Sequence, residues 1–109
     1  MGIAKTEIFT PAQNRLASYA KVLGHPARIS ILEYLFKLDG CVCGELVNEI
    51  GLAQATISQH LKELKSIGFI KGTVEGTSVC YCINAEKWLE MKQEISNFLN
   101  QTSASFNCC

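Results

Sequence analysis

Between Gly44 and Gly68 the chain reads GELVNEIGLAQATISQHLKELKSIG, and two apolar periodicities meet inside it. Leu46, Val47 and Ile50 share one side of a short helix, Gly44 to Ile50, which Gly51 ends. Ile57, Leu61 and Leu64, spaced by four and three, form the buried stripe of a longer helix from about Gln54 to Ile67. Gly68 is a natural stop for it, because glycine accepts the left-handed backbone that closes a helix. Opposite the stripe lie Ala55, Ser58, Gln59 and Lys62, with Thr56 to one side and Gln54 near the amino end. That face is small, polar and basic, and His60 sits on the shoulder of the core.

The flanking elements complete a pattern. Upstream, Thr10 as N-cap and Pro11 at the first position open a helix to Leu23, with Leu16, Tyr19, Ala20 and Leu23 on its apolar side and Gly24 closing it. His25-Pro26 starts a second helix, whose stripe Ile29, Leu32, Leu35 and Phe36 continues to about Leu38 before Asp39-Gly40 breaks it. Downstream come two short strands, Phe69 to Val74 and Ser78 to Asn84, joined around Glu75-Gly76-Thr77. Val79, Tyr81 and Ile83 alternate toward one face, which puts Cys80 and Cys82 on the outward side. A last helix, roughly Ala85 to Leu99, carries Trp88, Met91, Ile95, Phe98 and Leu99. The expectation is a mainly α fold with a small β-hairpin wing, in the order α-α-α-α-β-β-α: a winged helix-turn-helix. Residues 1–100 form the domain, and 101–109 a flexible tail ending in Cys108-Cys109.

Composition narrows the function. A chain of 109 residues with 48% apolar content supports one core rather than two. Its apolar runs are too short to span a bilayer, and its amino terminus lacks the features of a secretory signal, so a cytoplasmic protein with no membrane partner is expected. Zero net charge argues against indiscriminate coating of nucleic acid, while Lys62, Lys65 and Lys71 supply a local basic side. No Cys-x-x-Cys redox motif, nucleophile triad or phosphate loop is present, so the chain does not read as an enzyme and needs no organic cofactor.

A double-stranded DNA operator is the partner that suits this face. In a major groove glutamine pairs with adenine, serine and threonine reach bases or phosphates, and lysine neutralises phosphate. The candidate DNA contacts are Gln54, Thr56, Ser58, Gln59, His60 and Lys62 on the helix, with Lys71 and Thr77 on the wing. A homodimer follows from the apolar faces left on the first and last helices, and it sets two reading helices about 34 Å apart, on successive turns of the groove.

The segments Leu23-Gly-His-Pro-Ala-Arg-Ile, Cys41-Val-Cys-Gly-Glu-Leu and Gln54-Ala-Thr-Ile-Ser-Gln-His-Leu-Lys-Glu-Leu, closed by Gly68-Phe-Ile, resemble the arsenic-repressor (ArsR/SmtB) family of metal-responsive repressors. The resemblance covers roughly residues 15 to 90. It implies a homodimer built on the first and last helices that binds a partly palindromic operator and leaves it when metal binds. Two positions depart from the family pattern: Thr77 stands where wings often carry Arg, and Gln59 where many members have a charged residue.

Six cysteines in a reducing compartment are a functional clue rather than a set of bridges. Cys41 and Cys43 are separated by one residue before the short helix, and thiolates select soft metals and metalloids. Cys43 takes the N-cap position, where the helix dipole favours thiolate. By resemblance this Cys-Val-Cys element carries arsenite or antimonite in some members and cadmium or lead in others. The third cysteine of the arsenite sites is missing from the motif, where Gly44, Glu45 and Leu46 stand instead. Cys108 and Cys109 are the favoured source of a third thiolate, with Cys80 and Cys82 as the other candidates. The resulting expectation is a repressor released by trivalent arsenic or antimony. The alternatives are a cadmium- or lead-responsive, or a thiol-redox-responsive, repressor of the same fold.

Overall fold

A computed structural model of the chain describes residues 8–38, 41, 49–76 and 78–101. Helix α1 spans Pro11–Leu23 and opens with a reciprocal cap. Thr10 Oγ1 accepts from the Gln13 backbone N–H at 3.1 Å, and Gln13 Oε1 accepts from the Thr10 N–H at 2.9 Å. Helix α2, Pro26–Lys37, begins after His25, whose ring Nδ1 accepts from the Ala27 N–H at 3.2 Å. The predicted short helix, Gly44 to Ile50, lies mostly outside the described residues; Glu49 and Ile50 are helical, and Gly51, at φ 84°, ends the turn of chain.

Helix α3, Gln54–Ile67, closes on Gly68 in the left-handed conformation, φ 92°. Gly68 N–H bonds back to the Lys65 carbonyl, and Phe69 N–H to that of Leu64, both at 3.0 Å. This reversal drops Phe69 into the middle of the core, against Tyr19 at 5.7 Å and Trp88 at 5.4 Å between ring centroids. Strands β1, Ile70–Glu75, and β2, Ser78–Ile83, pair antiparallel in the register Ile70↔Ile83 through Glu75↔Ser78. Asn84 then caps helix α4, Ala85–Leu99, by accepting from the Lys87 N–H at 3.3 Å. The predicted order of elements therefore holds wherever residues are described.

One core joins the elements, built from Tyr19, Val22, Ile31, Leu32, Leu35, Ile57, Leu61, Leu64, Phe69, Ile70 and Met91. Three sequence expectations are corrected there. In α2 the buried set is Ile31, Leu32 and Leu35, while Ile29 and Phe36 are exposed at 39% and 50%. The helix turns Ile31 rather than Ile29 toward α1 and α3, and Phe36 meets Trp88 of α4 edge to face. In α1 the interior residues are Tyr19 and Val22, and Ala20 faces solvent. On the wing, Cys80 is buried at 1% exposure while Val79 is exposed. Strict alternation assumes one wet face, whereas Tyr81 and Ile83 pack on the core and Cys80, on the opposite side of β2, is buried as well.

Candidate nucleic-acid interface

The outward face of α3 is assembled by elimination. Ile57, His60, Leu61 and Leu64 turn inward, which leaves Gln54, Ala55, Thr56, Ser58, Gln59, Lys62, Lys65 and Ser66 exposed along one side. Ala53 offers no side-chain cap at the amino end, so the first-turn N–H groups of α3 have no side-chain acceptor from that position. Gln54 Nε2 donates to Ser58 Oγ at 3.2 Å, and Gln59 Nε2 donates to Glu63 Oε2 at 3.2 Å. The two ion pairs among the described residues, Arg15–Glu94 and Lys87–Glu90, involve none of Lys62, Lys65 or Lys71. These three ammonium groups leave the face electropositive within a chain of zero net charge.

Of the predicted DNA contacts, Gln54, Thr56, Ser58, Gln59 and Lys62 fall together on this face, and Lys71 is exposed on β1 next to it in sequence and space. Thr77 lies outside the described residues. His60 differs from the rest: it is 7% exposed and points into the protein. Its Nδ1 accepts from Arg28 Nε at 3.1 Å, and its ring lies 4.4 Å from that of His25. Arg28 also donates from Nη1 to the Val22 carbonyl at 3.4 Å. Burial first, then the nearby His25 and Arg28, push the His60 pKa down, so the ring is held neutral with Nδ1 as acceptor. His60 thus fastens the reading helix to the start of α2 instead of extending its outer edge.

Two participants were not among the predicted contacts, although Lys65 was counted on the basic side. Arg28 carried no signal beyond its place in Leu23-Gly-His-Pro-Ala-Arg-Ile, since a partner far along the chain cannot be read from periodicity. Lys65 extends from α3 over the hairpin: a Cβ added at Gly72 would come within 3.3 Å of Lys65 Nζ and 3.2 Å of the Tyr81 ring. Gly72 therefore makes room for the end of the Lys65 side chain beside the hairpin.

Behind the face, α1 and α4 are tied by Glu94, whose carboxylate accepts from Arg15 Nε at 2.7 Å and from the Tyr19 hydroxyl at 3.1 Å. The Arg15 hydrogen bond is the main cause holding the Glu94 pKa below its ordinary value. Beside this tie the same two helices border a groove lined by Ala12, Leu16 and Phe98, and Leu89, Phe98 and Leu99 of α4 are exposed at 54%, 55% and 68%.

Of the predicted thiolate ligands, Cys41 is described and exposed, whereas Cys43, Cys108 and Cys109 lie outside the described residues. Cys82 is half-buried opposite Lys71, and Cys80 is disulfide-bonded. Among the described residues no group of three or more His, Cys, Asp or Glu side chains is gathered as a metal site. None of the described helices is long and apolar enough to cross a membrane.

Known proteins share this fold. Residues 25–71 match the model of the bacterial regulatory protein arsR family. The uncharacterized HTH-type transcriptional regulator Rv0081 of Mycobacterium tuberculosis is 35% identical over 81 residues, covering 74% of this chain and 71% of that protein. Its crystal structure superposes with a TM-score of 0.63, spanning 84% of this chain and 95% of the other at 32% identity. A homodimeric winged helix-turn-helix DNA-binding domain from Mycobacterium bovis gives a TM-score of 0.62 at 28% identity, covering 78% of this chain and 81% of that domain. The transcriptional repressor BigR of Xylella fastidiosa gives 0.61 at 27% identity, covering 82% and 91%. With this fold and these relatives, the chain belongs to the arsR family of DNA-binding transcriptional regulators.

Proposed function

We propose that the chain is a homodimeric repressor that leaves its operator when trivalent arsenic or antimony binds Cys41 and Cys43, with Cys108 or Cys109 completing a three-thiolate site. The observation that carries the inducer is Cys41-Val-Cys43: two soft donors at the entry to the segment that leads, through Gly51, into α3. Cys41 is exposed, as an entering metalloid requires. The apolar surface on α4 and beside α1 supports pairing of two copies through these helices. Metalloid binding displaces the segment before α3 and alters the spacing of the two reading helices. Only a higher affinity of the inducer for the DNA-free state drives release, and a coupling of about 1–3 kcal/mol corresponds to roughly 5- to 150-fold in operator affinity.

The test is operator binding followed by fluorescence anisotropy with arsenite, cadmium, zinc or peroxide, for the wild type and for Cys41→Ser/Cys43→Ser. Release by arsenite that persists in the double variant eliminates the proposed site. One observation favours a second reading, a thiol-redox-responsive repressor: Cys80, on the wing strand β2, is both buried and disulfide-bonded. Release by peroxide but not by arsenite, lost in Cys80→Ser, would select it.

A further inference from the structure

We infer that Glu63 sets the base preference of Gln59, making it a reader of adenine that discriminates against guanine; this rests on α3 being the DNA-reading helix. Gln59 stands near the centre of the outward face, with Ala55, Lys62 and Ser66, opposite the buried stripe. A glutamine amide that rotates freely presents either its oxygen or its nitrogen to a base. Here Gln59 Nε2 donates to Glu63 Oε2 at 3.2 Å, one helical turn along. A carboxylate offers only acceptors, so this partner admits only one end of the amide. The nitrogen turns toward Glu63, and the carbonyl oxygen with the second N–H is left for a base edge.

That remaining pair, one acceptor beside one donor, complements the N6 amino group and N7 of adenine in the major groove. Guanine offers two acceptors there, N7 and O6, and would set O6 against the Gln59 carbonyl. Glu63 itself lies on the flank of the helix, half-buried, lining a groove with Ser18, Lys21, Arg28 and Ser66. That groove lies to the side of the outward face, away from the phosphates of a duplex in front of the helix. Glu63 is a positioning residue: it acts on the base only through Gln59.

The experiment is selection of duplexes from a pool randomised over the bound site, using the full chain as wild type, Q59A, E63Q and E63K. The position read by Gln59 is the one whose preference Q59A loses. Wild type is expected to enrich adenine there. In E63Q the neighbour accepts or donates equally well, and the adenine-over-guanine preference falls by about twofold per half-site, the scale of a surface pair one helical turn apart. In E63K the neighbour only donates, the amide reverses, and guanine gains. Because added positive charge strengthens binding to every sequence alike, the ratio of bases at one position is the readout rather than affinity. The double variant Q59A/E63K separates direct reading by the new lysine: a guanine preference that survives in it overturns the inference. So does an unchanged base preference in E63Q and E63K. A wild-type chain that enriches no sequence overturns the DNA-reading assignment itself, and the inference with it.

Discussion

Arg28→Met removes the guanidinium that satisfies His60 while keeping most of the aliphatic stem in place. His60 is 7% exposed, and its Nδ1 accepts from Arg28 Nε at 3.1 Å, so the variant strands a buried acceptor. Such a group costs about 1–3 kcal/mol. Arg28 is itself only half-buried, and water entering beside the methionine offsets part of the loss, which puts the expected cost nearer 1–2 kcal/mol. For a domain of this size that is a fall in Tm of about 4–15 °C, measured by thermal unfolding followed by circular dichroism. His60→Phe removes the acceptor instead, and the double variant closes a cycle whose coupling should reach about 1 kcal/mol. The pH dependence gives an independent reading. Burial lowers the folded-state pKa of His60 below the unfolded value, so between the two the unfolded chain binds the extra proton. Stability from this group is complete above the ordinary histidine value of about 6.5 and is lost as pH falls from there through the lowered pKa. Wild type should lose Tm on acidification across that window, and His60→Phe should lose less. An unchanged Tm in Arg28→Met together with zero coupling would refute the claim that this hydrogen bond fastens α3 to α2.

Other perturbations probe the remaining supports. Gly68→Ala puts a Cβ on a backbone at φ 92°, and its 3.2 Å approach to Lys87 Cγ is relieved by that flexible side chain. The cost is therefore mainly backbone strain, about 1–2 kcal/mol by urea unfolding, and an unchanged midpoint would contradict it. Leu64→Ala, at a site with 0% exposure, should cost about 2–5 kcal/mol in the same assay. Lys62→Ala should weaken binding to operator and to unrelated duplex alike, and reduce the slope of log K against log salt by about 1. A change confined to one base position would instead make Lys62 a base reader. Glu94→Gln weakens its bonds to Arg15 and Tyr19; because the Glu94 pKa is lowered, the wild-type contribution is present at neutral pH and is lost only as pH falls below the ordinary carboxylate range. The stability difference between the two proteins should shrink in acid, and a constant difference would assign the effect to packing.

Local chemistry alone determined much of this molecule. Thr10 with Gln13, Pro11, His25-Pro26, Gly51, Gly68 and Asn84 mark helix ends through their own backbone needs, and the spacing of Ile57, Leu61 and Leu64 names the buried side of α3 and so its reading face. What a residue touches across the fold was decided elsewhere. His60 meets Arg28 from 32 residues away, and Glu94 meets Arg15 from 79. Ile31 displaced Ile29 from the core because the directions of α1 and α3, not the apolar content of α2, choose which side of that helix is covered. Cys80 became interior for a related reason: alternation along a strand counts two faces but does not say whether something closes the second. Periodicity is a property of one segment, whereas burial and hydrogen bonding belong to pairs of segments, and those pairs exist only once the chain has folded.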